Sequence, residues 1–71
     1  MKLNSEQLQT VFKLQENYMA NNPNLPEGQA FFNALHWLAP SVANEIRDTQ
    51  LDPYHDSSRL KACIDHIYEE K

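Results

Sequence analysis

Apolar residues return at helical spacing along most of the chain, and nowhere do they alternate as in a half-buried strand. Leu8, Val11, Phe12, Tyr18 and Met19 form one stripe, widened by Leu14. Glu6, Gln9, Lys13, Glu16 and Asn17 fall opposite. This predicts a helix over 4–20. Asn4 is its N-cap, Gln7 the capping-box partner, and Leu3 and Leu8 have the spacing of a hydrophobic staple. Asn21-Asn22-Pro23-Asn24 then stops it, because proline disfavours a helical residue before it and Asn tolerates left-handed turns.

A second helix begins at Leu25-Pro26-Glu27-Gly28, where proline suits a first turn and Glu27 complements the positive end of the dipole. From Ala30 to Ala39 it is apolar nearly all round, as in the buried centre of a bundle. Its narrow polar stripe is Gln29, Asn33 and His36, with Trp37 on the border. Pro40 opens a short third helix over 40–49, with Val42, Ala43 and Ile46 inward. Leu51-Asp52-Pro53-Tyr54-His55 reads as a turn. Asp56 or Ser57 caps a fourth helix over 57–70, striped by Leu60, Cys63, Ile64 and Ile67 with Tyr68 beside them. The expected fold is all-α, a compact small bundle of about four short helices forming a single domain over residues 1–71. Its expected buried set is Phe12, Phe31, Leu35, Leu38, Ile46, Leu60 and Ile64.

Composition narrows the function classes. Seventy-one residues make one small domain whose core has a thin margin, so a homodimer is about as much to be expected as a monomer. One cysteine forms no internal disulfide, which suits a reducing cytosol. Met1 to Ser5 carries no apolar signal region, and no apolar run is long enough for a bilayer. The expectation is therefore a soluble, cytoplasmic protein, away from the membrane. The net charge is −4, and the six bases, Lys2, Lys13, Arg47, Arg59, Lys61 and Lys71, are scattered rather than clustered for phosphate. Residues 45–71 hold seven of the ten acids. That acidic part could meet a basic surface, though such a surplus also serves plain solubility.

Gly28-Gln29-Ala30, Asn33-Ala34-Leu35, Pro40, Ile46-Arg47-Asp48-Thr49 and Asp52-Pro53-Tyr54-His55-Asp56 resemble a group of small, mostly phage-encoded proteins. Their shared core runs G-x-A-x-x-N-x-L, then R-G-T-x-x-D-P-F-Y-D-D, then a short final helix; the match covers under half of this chain. Here Asp48 stands where Gly is usual, Tyr54 where Phe is usual, His55 where Tyr is usual and Ser57 where Asp is usual. The resemblance implies context, a phage or prophage accessory protein in the cytoplasm of a bacterial host cell; small acidic phage proteins often work by binding a host or defence protein, and that is the expected role here.

The candidate chemistries are thin. Cys63-x-x-His66, with His55, Asp52 and Asp56 near in sequence, is one weak metal pair where a structural zinc site needs four ligands. Cys63 reads instead as a small core residue. A Cys–His nucleophile lacks a glycine-rich oxyanion loop, and Asp52 and Asp56 read as a turn aspartate and a cap rather than an acid–base pair. Gly28 is the only glycine, so no loop cradles phosphate. A helix-turn-helix over 27–49 would present Asn44, Glu45, Arg47 and Asp48, one base among two acids.

The reading is a binding protein, not an enzyme, with no cofactor. A helical nucleic-acid-binding regulator is the runner-up, disfavoured by charge, and a metal-binding or enzymatic protein comes third. Two surfaces are candidates for an unidentified bacterial protein partner. One is His36 and Trp37 with Gln29 and Asn33, since Trp is enriched at interface hot spots. The other is the Pro53-stiffened segment carrying Asp48, Asp52, Tyr54, His55 and Asp56. The plain alternatives, a core Trp37 and an inward Tyr54, stay open at this point.

Overall fold

A computed structural model describes residues 2–69. Among them lie four α-helices: α1 (Ser5–Asn21), α2 (Glu27–Leu38), α3 (Pro40–Ile46) and α4 (Leu60–Ile67), the last preceded by a 3-10 turn at Ser57–Arg59. The all-α architecture is the expected one. The Asn4 side chain accepts from the Gln7 N–H at 2.9 Å, and the Gln7 side chain accepts from the Asn4 N–H at 3.0 Å. This reciprocal pair satisfies two amide donors that an open helix end leaves bare. Leu3 and Leu8, on either side of the cap, are both in the core.

The central element is α2. Ala30, Phe31, Phe32, Ala34 and Leu35 are buried along it, and α1 and α3 both pack against it. Proline is the N-cap of α2 at Pro26, one position before the expected first turn. Gln15 of α1 donates to the Glu27 carbonyl at 3.2 Å and ties the two helices at this end. Val11, Val42, Ala43, Ile46, Cys63 and Ile67 complete the buried cluster.

Three expectations need correction. Phe31, Leu35 and Ile46 are buried as expected, but Phe12, Leu38, Leu60 and Ile64 are only partly buried at the cluster's margin. In so small a domain a wide apolar stripe exceeds what its neighbours can cover. Second, α3 ends at Ile46, not at 49. Asp48 has φ 61°, a left-handed backbone that no right-handed helix can pass through.

Third, the last helix is shorter than 57–70. It starts as a 3-10 turn and stops at Tyr68, whose backbone is extended and bridges Leu3 in parallel. The Leu3 N–H donates to the Ile67 carbonyl at 2.6 Å, and the Glu69 N–H donates to the Leu3 carbonyl at 2.9 Å. The chain's two ends thus satisfy each other's backbone groups where a helix would have continued. Residue 70 lies outside the described residues. No described helix is long and apolar enough to cross a membrane.

Candidate functional site

The segment between α3 and the 3-10 turn is a tightly bonded loop rather than a slack linker. Asp52 is only 5% exposed. One of its carboxylate oxygens accepts from the Asp48 N–H at 2.8 Å and the other from the Tyr54 N–H at 2.9 Å. The Thr49 hydroxyl donates to the Ile46 carbonyl at 2.6 Å, and Pro53 is buried beneath. Asp52 therefore builds the loop. It is buried with an amide N–H on each carboxylate oxygen, and it still lines the groove between this loop and α2. Asp56 likewise serves as a cap: its carboxylate accepts from the Ser58 N–H at 3.0 Å and the Ser58 hydroxyl at 2.6 Å. These bonds, the hydroxyl's first, hold its pKa below the ordinary carboxylate value, with Arg59 at 3.7 Å adding a weaker pull.

The loop folds back against α2, and Phe32 is where they meet. The Tyr54 ring stands edge-on to Phe32 with centroids 5.7 Å apart. Arg47 lays its guanidinium over the Phe32 ring, 5.6 Å from the centroid, and His36, one turn on, stacks at 6.4 Å. His55 packs against Tyr54 at 4.9 Å. Above this floor is an open groove of about 610 Å³, bounded by α2, the loop and Tyr18 near the end of α1. The volume is in the range of ligand sites, which run to roughly 300–1,000 Å³.

Two candidate surfaces, eleven residues or more apart in sequence, are thus one. His36, Trp37, Asp48, Asp52, Tyr54 and His55 all line the groove, while Asp56 does not. Trp37 is not a core residue: it is 67% exposed, the large hydrophobic side chain that the fold leaves out. Tyr54 is half-buried, its ring shared between floor and groove. Gln29 lies beyond the groove, whereas Asn33 lines it. Sequence reading missed Phe32, Arg47 and Tyr18. Phe32 sits in an apolar run where every residue reads as core, and its i, i+4 spacing to His36 was the available sign.

Elsewhere, His66 and Cys63 diverge. The His66 imidazole lies 3.8 Å from Glu45 at the surface, while burial, with the Asp52 charge behind it, pushes the Cys63 thiol up to about 12. Among the described residues no three His, Cys, Asp or Glu side chains gather as a metal site would require. The chain matches no family model, no characterised protein and no solved structure.

Proposed function

We propose that this protein acts by docking another protein on the groove between α2 and the 48–56 loop, as a phage or prophage accessory protein engaging a bacterial protein in the cytoplasm. The observation that carries the reading is Trp37, 67% exposed on the rim of an aromatic-floored groove. Tryptophan is, with tyrosine and arginine, enriched among the residues that anchor protein interfaces. The loop opposite is already ordered by Asp52 and Pro53, so docking there orders little further backbone. The phage setting rests on the resemblance carried by Gly28 to Asp56.

Contact suits the site better than turnover does. Asp52 is committed to two backbone amides, and Cys63 is buried away from the groove. Arg47 is the one Lys or Arg side chain among the groove's lining residues, which serves a phosphate backbone poorly.

The test is capture from bacterial lysate by wild type, Trp37→Ala and His55→Ala, with folding followed by circular dichroism. Both changes fall on exposed side chains. A captured protein lost from the folded Trp37→Ala variant supports docking at the groove. Equal capture by folded wild type and Trp37→Ala overturns it.

A further inference from the structure

We propose that a second copy of this chain occupies the groove, in a two-fold dimer in which each Trp37 fills the other copy's groove; this rests on reading the groove as a protein-docking face. An isologous interface needs a patch that is complementary to itself, because each contact between residues i and j is repeated as j and i. Such a patch must carry a knob beside a hole. Here the knob is Trp37, 67% exposed, and the hole is the adjoining groove of about 610 Å³ floored by Phe32 and Tyr54. The offered ring meets rings edge-on or offset, the arrangements that aromatic pairs prefer.

Charge selects the same occupant. Arg47 and Asp48 are neighbours in the chain that both line the groove, Arg47 over the Phe32 ring, and Asp52 is buried with both carboxylate oxygens bonded. An acidic segment would meet Asp48 and a basic one would meet Arg47. A two-fold copy presents the pair reversed and makes two reciprocal Arg47–Asp48 contacts. The chain carries −4 overall, so two copies repel over most orientations. The groove's own lining carries Arg47 against Asp48 and Asp52, so the reciprocal Arg47–Asp48 contacts are what draw two copies together there.

Size is compatible as well. A standard interface takes about 800 Å² from each partner, roughly a sixth of the 4710 Å² of accessible surface here. The dimer keeps Trp37 covered until a bacterial partner competes for the same face.

Sedimentation of the whole chain across about 1 µM to 1 mM spans tight to weak association and tests this directly. Wild type should sediment as a dimer within that range. Trp37→Ala should weaken dimerisation at least roughly thirtyfold, as loss of a hot-spot anchor does. Arg47→Glu should weaken it too, and mixing Arg47→Glu with Asp48→Lys should restore a mixed dimer, because the reversed charges then pair across the interface. A wild type monomeric at the top of the range overturns the dimer. So does a dimer that folded Trp37→Ala and Arg47→Glu leave unchanged. A monomeric wild type whose lysate capture still depends on Trp37 sinks self-association alone and leaves foreign docking standing. A Trp37-dependent dimer with Trp37-independent capture does the reverse.

Discussion

A side chain on residue 28 would overlap the carbonyl oxygen of Pro53, so α2 and the loop touch backbone to backbone at the one glycine of the chain. The Gly28 N–H also donates to the Ser57 hydroxyl at 2.8 Å. The start of α2 is thereby pinned to the later half of that loop and to the first residue of the 3-10 turn. Position 28 is glycine for close approach rather than for turning, since its φ is not positive.

Gly28→Ala should therefore destabilise the protein even though alanine is the better helix former. The helix preference is worth about 1 kcal/mol in alanine's favour. The clash is with backbone that cannot rotate away, and overpacking of that kind costs about 1–3 kcal/mol, sometimes more. A lowered urea midpoint is expected, with the loop displaced from Phe32. A variant as stable as wild type would mean that the contact is slack.

Asp48→Gly should act in the opposite direction. Asp48 holds φ 61°, a conformation that glycine adopts without side-chain strain and aspartate adopts at some cost. Its N–H remains available to Asp52 after the change. We expect a gain of about 0.5–1 kcal/mol, reduced by glycine's greater freedom when unfolded. Thermal unfolding checks the sign. If two copies pair as proposed, dimerisation should weaken in the same variant, since the carboxylate meant for Arg47 of the second copy is gone. A residue that lowers stability yet raises association is the pattern expected of a functional position.

The contrast between these two positions indicates what was legible in the sequence. The Asn4–Gln7 cap, the α1 stripe and the all-α class follow from neighbours within one or two turns, and they stand in the structure as the spacing implies. The ends of α3 and α4 do not, because distant chain sets them. Asp52 traps Asp48 in a left-handed conformation, and Leu3 draws Tyr68 into a bridge. The groove was half legible. Trp37 and the 48–56 segment each stood out by composition, but their meeting depends on Phe32 receiving Tyr54 and Arg47 on one ring. In a run as apolar as 30–39, no periodicity separates the core-facing Phe31 from the groove-facing Phe32 or the exposed Trp37.

Cys63 should be chemically silent in the native protein. Burial raises its thiol to about 12, and the thiolate is the reactive form. A free cysteine at about 8.5 is substantially ionised at mildly alkaline pH, so labelling of the folded chain should run roughly a thousandfold slower than in denaturant. Ellman's reagent with and without urea measures this. Equal rates would place Cys63 outside the core.

Acid should selectively weaken the start of the last helix, through Asp56. Its pKa is held below the ordinary aspartate range chiefly by the Ser58 hydroxyl, then by the Ser58 N–H. A carboxylate whose pKa is depressed on folding contributes stability that is fully present above its unfolded value and is lost as pH falls through the folded value. The contribution should therefore be intact at neutral pH and fade below about pH 4. Wild type should be more stable than Asp56→Ala at pH 7, and the difference in urea midpoint should shrink steadily toward pH 2. Ser58→Ala removes the largest cause, so the Asp56 carboxyl signal, followed by NMR, should titrate at higher pH in that variant than in wild type. An unchanged titration in Ser58→Ala would assign the depression to the backbone N–H and Arg59 instead, and a pH-independent difference for Asp56→Ala would show that the cap works equally well uncharged.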